Sequence, residues 1–204
     1  MGNAPCTSAA VESTTTVIIG SGLSGLAVAS ELSRKGVAAI VVSGCGELLG
    51  DCSAHRSPSD PSMLHERADL LRLLHNYARN HAVDVRKDVH AADLKLQQDD
   101  GGTVHPADGT HPRKWAVQTE TGVLMADSIV LTNCPQNQIR RVLKSVGITA
   151  GGDFLAAMRA IGIHLVGIGD LLAPTTREIA HQAKVVSEAI VSERVLTSGQ
   201  TAIA

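Results

Sequence analysis

The chain has 204 residues and a formal net charge of −2, with 18 Lys and Arg against 20 Asp and Glu. This length suits one domain with a small excursion, and the even charge balance excludes the basic surface of a nucleic-acid-binding protein. Four cysteines occur without a C-x-x-C pair, which argues against a redox dithiol or a zinc site. Because no stretch resembles a signal peptide or a membrane span, we expect a cytoplasmic protein with no membrane partner. From the cysteine spacing we also expect no metal.

The most informative stretch runs from Val17 to Ser43. An apolar β-branched run is followed by Gly20, Gly22 and Gly25 in the spacing G-x-G-x-x-G, then by a helical pattern and a second apolar run. In such a unit the first glycine permits a tight turn, the second lets a pyrophosphate approach the backbone, and the third lets the helix lie against the strand. The free N–H groups and the positive dipole end of the helix face the phosphates. The sequence therefore predicts a dinucleotide-binding βαβ unit.

The following residues alternate between helical and extended patterns. Apolar residues recur at intervals of three and four from Met63 to Ala82, which predicts a helix, and Val83–Arg86 predicts a short third strand. Residues from about 89 to 126 form three extended runs joined by turns without a helix, which is typical of an antiparallel meander. Further predicted elements are a strand over Ser128–Thr132, a short helix over Asn137–Val146, a strand over Ile161–Ile168 and a long helix over Thr175–Leu196.

Three segments are predicted to lie outside these elements. Residues 1–14 are small and polar, which predicts a disordered lead-in, and the tail 197–204 should fray. Residues 44–62 are dense in Gly, Ser, Pro and Asp, which predicts a long loop of the kind that is usually functional or mobile. We therefore expect one domain over residues 15–196, with a meander excursion over about 89–126.

In this order the elements resemble the FAD-binding domain of the two-dinucleotide-domain flavoproteins, which include the thioredoxin reductase-like enzymes and the flavin-dependent monooxygenases. The resemblance rests on the glycine turn, on the meander in place of a crossover helix, and on a closing strand that ends in Gly169-Asp170 before a helix. The stretch GIHLVGIGDLLAPTTREIAHQAKVVSEAI is similar to the closing strand and helix of the monooxygenases. The resemblance implies FAD as cofactor and an α/β, Rossmann-like FAD-binding fold, in which a central parallel sheet carries an antiparallel β-meander crossover.

The resemblance also implies which residues would hold FAD. The glycine turn would hold the ADP pyrophosphate, the backbone of Val89 would lie near the adenine, and Asp170 would accept hydrogen bonds near the ribityl chain or phosphate. The N-terminus of the last helix would face the pyrimidine side of the flavin, where a helix dipole favours negative charge on the reduced flavin. The implied cofactor-binding residues are Gly20, Gly22, Leu23, Ser24, Gly25, Ser43, Val89, Asn133, Gly169, Asp170, Thr175 and Thr176.

The chain departs from this family at three places. The second strand ends in Ser43, where the family has an acid for the adenosine ribose; a neutral acceptor there costs about 1–2 kcal/mol, on the order of tenfold in affinity. The segment Thr132-Asn133-Cys134 stands where the family has Ala-Thr-Gly. Only 26 residues, Pro135–Ala160, lie where the family inserts a complete NAD(P)H-binding domain, and this is far too short for a domain.

Two functions fit this pattern best. The first is an FAD-dependent oxidoreductase, monooxygenase-like, that acts on a small-molecule substrate and receives electrons from that substrate or from a separate reductase. The second is a non-catalytic nucleotide-binding or vestigial subunit that works with a partner chain. A missing domain favours a homodimer or a heteromeric partner, since uncovered apolar patches mark interfaces. An NAD(P)-only Rossmann protein is a third reading, but it needs helices where the meander is predicted.

No catalytic residue is identified from the sequence. His55 is predicted to be a solvated loop residue, His164 a core or sheet-face residue, and His181 an exposed residue of the last helix. A bound flavin brings its own redox chemistry, so a flavoprotein needs few reactive side chains.

Overall fold

The computed structural model describes residues 10–44, 61–97, 114–132, 139, 154–167 and 174–200. The strands in these ranges are β1 (Ala10–Ile19), β2 (Ala39–Gly44), β3 (Asp84–Gln97), β4 (Lys114–Thr119), β5 (Gly122–Thr132) and β6 (Ile163–Val166). The helices are α1 (Leu23–Arg34), α2 (Pro61–Asn80), α3 (Phe154–Ala160) and α4 (Thr176–Gln200). Each of these helices, as far as it is described, is too short or too polar to cross a lipid bilayer.

All six strands belong to one mixed sheet. β1 pairs in parallel with both β2 and β5, and β5 pairs in parallel with β6. β4 runs antiparallel between β3 and β5, which confirms the predicted meander. Because β1 contacts β5 as well as β2, the pairings of the first five strands close into a ring, with β6 attached to β5. This closure was not predicted from the sequence.

Long strands make this closure possible. The first part of β3 pairs in parallel with β2, beginning at Ile40 and Asp84, and its last part pairs antiparallel with β4 from Ala91 onward. β5 likewise pairs with β4 near Gly122 and with β6 near Thr132. Each of these strands was predicted as two, because short polar positions in a continuous strand look like turns when the pairing is not known.

Two hydrophobic clusters lie on opposite faces of the parallel strands. Successive residues of a strand point to opposite faces, so Val17 and Ile19 join the cluster under the meander, whereas Ile18 joins the cluster under the helices. Trp115 is fully buried in the first cluster. α1 is buried along almost its whole length in the second, and this burial fixes its N-terminus against the sheet.

The ends of the chain differ from the prediction. β1 begins at Ala10, so residues 10–14, predicted as part of a disordered lead-in, form a strand that pairs with β5 from Gly122 to Ala126. Arg86 of β3 holds this extension through an ion pair with Glu12 at 2.8 Å. α4 extends to Gln200, past the predicted start of the frayed tail. Strand pairing, which composition does not reveal, orders residues 10–14.

We predict that Trp115→Phe destabilises the fold. The Trp115 Nε1 group donates a hydrogen bond of 2.7 Å to the carbonyl of Ile161, and the ring is fully buried. The change removes that bond and leaves a cavity, so the free energy of unfolding should fall by about 2–4 kcal/mol. Denaturant titration followed by far-ultraviolet circular dichroism measures the loss. Leu73→Ala, at a position 64% exposed, should change stability little. An equal loss in both variants would contradict the buried, hydrogen-bonded position of Trp115.

Candidate functional site

The carboxyl ends of the parallel strands meet at one edge of the sheet. Ile19 at the end of β1 lies beside Val42 of β2 and Leu131 of β5, and Thr132 at the end of β5 lies beside Val166 of β6. Ligands of α/β sheets bind in the crevice outside these carboxyl ends. The glycine turn begins directly after Ile19, so the structure places it at this edge.

Gly20 fits the turn because it has no side chain. Its φ is +120°, a conformation that side chains disfavour, and a Cβ here would overlap the Thr132 hydroxyl. That hydroxyl donates to the carbonyl of Ile19 at 3.0 Å. The Gly20 N–H donates to the carbonyl of Val42 at 2.9 Å. The turn is therefore anchored to both neighbouring strands.

Gly25 has the close-packing role that the spacing predicts. A Cβ at this position would overlap the carbonyl oxygen of Gly20 and would lie 3.0 Å from its carbonyl carbon. Only glycine lets the first turn of α1 approach the end of β1 this closely. Gly22 differs, because its φ of −78° is open to any residue and it is exposed. A side chain at Gly22 would extend into the space outside the sheet edge.

The N-terminus of α1 has no capping side chain among the described residues. Gly22 is its N-cap, and its first turn has no acidic residue. The first intrahelical bond runs from the Leu26 N–H to the Gly22 carbonyl at 3.0 Å, and the preceding N–H groups of a helix have no intrahelical acceptor. These donors and the positive dipole end favour a phosphate.

Ser43 lies beside the glycine turn, and the β3 residues next to Val89 pair with the end of β2. The Ser21 N–H donates to the Ser43 carbonyl at 3.3 Å. Next in the chain, Gly44 pairs with His90 of β3, and the register shift before that pair leaves Lys87–Val89 without a strand partner among the described residues. A bulge of this kind exposes backbone donors and acceptors. The fold thus places Ser43 beside the glycine turn, and it places Val89 on the strand next to Ser43.

The carboxylate of Glu120 holds His90, the residue that follows this bulge. The N–H of His90 donates to Glu120 Oε2 at 2.8 Å, and the His90 Nδ1 atom lies 3.5 Å from Glu120 Oε1. The His90 N–H bond lowers the pKa of Glu120 below its ordinary value of 4.5. The turn between β4 and β5 therefore holds the strand that borders the site.

The N-terminus of α4 is capped by the side chains of Thr175 and Glu178. Thr175, the residue before the helix, donates its N–H to Glu178 Oε2 at 2.7 Å, and the Glu178 N–H donates to the Thr175 hydroxyl at 3.2 Å. This is a capping box. The Thr176 hydroxyl donates to Glu66 of α2, and Arg67 of α2 donates to the Pro174 carbonyl at 2.6 Å.

The starts of α1 and α4 therefore differ in charge. Thr175 and Thr176, the predicted contacts of the flavin pyrimidine, bond to two carboxylates, which offset the positive end of the α4 dipole. The Thr175 N–H and hydroxyl bonds lower the pKa of Glu178 below its ordinary value of 4.5, so this carboxylate stays charged at neutral pH. The contact of these threonines with a flavin remains a prediction.

The other predicted residues are distributed as follows. Leu23 and Ser24 are buried in the first turn of α1. Asn133, Gly169 and Asp170 lie outside the described residues, as do Cys134, His55 and, apart from the buried Ile139, the predicted helix over Asn137–Val146. His164 is buried in β6, as predicted, with Nε2 3.5 Å from Glu193 Oε2. His181 is exposed. No group of His, Cys, Asp and Glu able to hold a metal occurs among the residues that the structure describes.

Sequence reasoning missed three residues that shape the site: Thr132, Glu66 and Glu178. The motif Thr-Thr-Arg-Glu from Thr175 to Glu178 matches the spacing of a capping box and could have revealed Glu178. Thr132 is 113 residues from Ile19, whose carbonyl it binds, and Glu66 is 110 residues from Thr176. No local pattern signals contacts at such separations.

Comparison with known proteins supports the fold. No family model matches this chain, and no curated protein sequence matches it significantly. The solved structure of HlmI has a TM-score of 0.56 at 12% identity and covers 94% of this chain and 95% of its own. THI4 of Thermovibrio ammonificans has a TM-score of 0.55 at 14% identity, with 89% and 90% covered.

A thioredoxin reductase from Gloeobacter violaceus aligns only in part, with a TM-score of 0.38, 17% identity and 59% of this chain covered. This chain spans 34% of that enzyme's length, so the alignment carries no argument about the whole enzyme. The similarity to HlmI and THI4 shows a shared mixed α/β, Rossmann-like fold and nothing finer.

We predict that Gly25→Ala and Gly22→Ala affect stability differently. Alanine at Gly25 forces α1 away from the Gly20 carbonyl, so the free energy of unfolding should fall by about 2 kcal/mol or more. Alanine at Gly22, a poorer N-cap than glycine, should cost about 1 kcal/mol or less. Chemical denaturation of the two variants measures both values. Equal losses would show that α1 does not depend on close approach at Gly25.

We predict that Glu178→Gln destabilises the protein in a pH-dependent way. The pKa of Glu178 is lower in the folded than in the unfolded chain, so its contribution is present above the unfolded value, about 4.3, and is lost as the pH falls through the folded value. The difference in melting temperature between wild type and variant should therefore be largest near neutral pH and should shrink below about pH 4. A difference that is constant between pH 7 and pH 3 would contradict the capping box.

Proposed function

We propose that this chain is an FAD-dependent oxidoreductase whose glycine turn binds the ADP half of the cofactor. The observation that carries the proposal is the uncapped, acid-free N-terminus of α1, held at the carboxyl edge of the parallel strands. A dinucleotide diphosphate is the ligand that such an N-terminus suits best, because several backbone donors converge there with the dipole.

The residues around the turn fit the rest of an ADP group. Gly22 is exposed and has no side chain, so a pyrophosphate can approach its backbone. Ser43 lies at the carboxyl end of β2, where the adenosine ribose of a dinucleotide binds. Val89 lies in the bulge of β3, where it has no strand partner among the described residues, and its backbone remains the proposed contact of the adenine. The residues Asn133, Gly169 and Asp170 remain proposed contacts of the flavin half.

The flavin would supply the redox chemistry, and this chain would bind and orient it. Only residues 133–162 separate the end of β5 at Thr132 from the start of β6 at Ile163, so a nicotinamide domain inserted at that place is excluded by length. We therefore propose that electrons come from the substrate or from a separate reductase. Monooxygenase-like chemistry on a small molecule, in the cytoplasm, is the specific form that we propose.

A second candidate is a non-catalytic nucleotide-binding subunit that works with a partner chain. Two observations favour this candidate. A neutral hydroxyl at Ser43 replaces the expected ribose-binding acid, and the carboxylates of Glu66 and Glu178 occupy the start of α4. Negative charge on a reduced flavin near that helix would be disfavoured by these carboxylates.

We predict that the purified chain takes up FAD. After incubation with FAD and removal of the free cofactor, an absorbance spectrum between the near ultraviolet and the blue should show flavin bands in proportion to the protein. Gly22→Ala should weaken the affinity by about tenfold or more, because its methyl group separates the phosphate from the backbone donors. Gly36→Asn, at the opposite end of α1 and tolerant of its φ of +68°, is the control and should bind like wild type.

A protein that stays colourless after this incubation would overturn the FAD proposal. Parallel titration with NADPH separates the FAD proposal from the NAD(P)-only alternative, under which NADPH binds and FAD does not. Bound flavin that is reduced and then reoxidised by a substrate at enzymatic rates would support the oxidoreductase, whereas bound flavin that does not turn over with a substrate and a reductase would favour the non-catalytic subunit.

A further inference from the structure

We propose that Thr132 is a positioning residue of the cofactor site: its hydroxyl sets the orientation of the peptide unit at which the glycine turn begins, and FAD affinity depends on that orientation. The inference rests on the proposed function and deepens it, because it names a residue outside the glycine motif on which the affinity depends. Thr132 stands where the resembling flavoproteins have alanine, which has no hydroxyl, so the resemblance does not imply this role.

The peptide unit between Ile19 and Gly20 is held from both sides. Its N–H group, on Gly20, donates to the Val42 carbonyl of β2 at 2.9 Å. Its carbonyl group, on Ile19, accepts the Thr132 hydroxyl of β5 at 3.0 Å. Because the N–H and the carbonyl of a trans peptide point in opposite directions, the two bonds together fix the plane of this unit between β2 and β5.

Gly20 by itself does not fix this plane. Glycine adopts positive and negative φ about equally readily, so the φ of +120° at Gly20 has to be imposed by the contacts around it. A rotation of the peptide unit would change the direction in which the chain enters α1. It would also turn the following backbone N–H groups, which are the proposed donors to the diphosphate, away from their present direction.

The next peptide unit is held by backbone atoms alone. The Ser21 N–H donates to the Ser43 carbonyl at 3.3 Å, and the Gly20 carbonyl lies against Gly25, where a Cβ would overlap it. Of the contacts described for these two units, that of the Thr132 hydroxyl is therefore the one that a side chain makes. A substitution can remove it and leave the backbone contacts in place.

Burial makes the loss of this bond consequential. Thr132 is 6% exposed and Ile19 is 1% exposed, so bulk water does not replace the hydroxyl when it is removed. A buried carbonyl that loses a donor carries a desolvation cost, and this cost favours any rotation that brings the carbonyl to another donor. We therefore expect the peptide unit to leave its orientation when Thr132 has no hydroxyl.

The test removes the hydroxyl and keeps the shape of the side chain. Thr132→Val replaces the hydroxyl by a methyl group, and Thr132→Ser keeps the hydroxyl. Thr16→Val is the matched control, because Thr16 of β1 is also buried and its hydroxyl has no hydrogen-bond partner in the described part of the chain. Melting curves first establish a temperature at which all of these variants are folded.

Isothermal titration calorimetry with FAD on the full chain at that temperature gives the dissociation constants. Thr132→Val should bind FAD about tenfold or more weakly than wild type, whereas Thr132→Ser and Thr16→Val should stay within about threefold of it. A role in stability alone would lower the melting temperature of Thr132→Val and leave its affinity for FAD unchanged.

A second pair of variants decides the question if Thr132→Val does not fold. Serine and cysteine at this position have similar sizes, and the thiol is a much weaker donor than the hydroxyl. Thr132→Cys should then show the weakened affinity for FAD, and Thr132→Ser should not.

A further measurement needs no ligand. The Gly20 N–H belongs to the peptide unit that Thr132 holds, so its hydrogen exchange in the ligand-free protein reports how often that unit turns away from Val42. Exchange at Gly20, followed by NMR spectroscopy, should be about tenfold or more faster in Thr132→Val than in wild type. It should be unchanged in Thr132→Ser and in Thr16→Val.

Unchanged FAD affinity in folded Thr132→Val would overturn this inference and leave the proposed function intact, and so would an equal weakening in Thr132→Ser or Thr16→Val. Unchanged exchange at Gly20 would also overturn it, since Thr132 would not then hold the peptide unit. A wild type that binds no FAD would overturn the proposed function itself, and the cofactor role of Thr132 with it.

Discussion

The close approach of α1 to the end of β1 is the contact on which the rest of the site depends. A side chain at Gly25 would overlap the Gly20 carbonyl, and one at Gly20 would overlap the Thr132 hydroxyl. These two glycines therefore fix where the helix begins relative to β1 and β5. Because α1 is buried almost throughout, it cannot shift to relieve such an overlap. Its N-terminal donors consequently face the sheet edge in one orientation, which is what a phosphate-binding site requires.

The two long helices whose N-termini were predicted to bind cofactor are electrostatically different. α1 begins with a bare glycine and no nearby acid, whereas α4 begins with a capping box and a further bond from Thr176 to Glu66. The first suits an anion, and the second has satisfied its own donors with carboxylates. The same contacts hold α4 against α2, since Arg67 also binds the Pro174 carbonyl. These contacts therefore stabilise the start of α4 against α2, and the two carboxylates offset the positive end of its dipole.

The ring of strand pairings explains why residues far apart in the chain border one site. β3 and β5 each pass from the parallel part of the sheet into the meander. These two strands therefore connect the meander to the parallel strands whose carboxyl ends form the edge. The bulge at Lys87–Val89 occurs where β3 leaves β2, and the bond from His90 to Glu120 fixes it from the meander side. In this way the antiparallel meander supports the bulge beside Ser43, which has no strand partner among the described residues.

The sequence by itself determined the βαβ unit, the glycine roles at Gly20 and Gly25, and the antiparallel meander, because each depends on local spacing and on hydrophobic periodicity. It also placed His164 correctly in the core. It divided β3 and β5 wrongly, because strand continuity depends on pairing partners on other strands, such as Ile40 for Asp84. It assigned residues 10–14 to a disordered lead-in, because their partner is the distant strand β5. Only the tertiary structure decided the ring closure, the Thr132 contact with Ile19 and the carboxylates at the start of α4, since each joins groups that no local pattern relates.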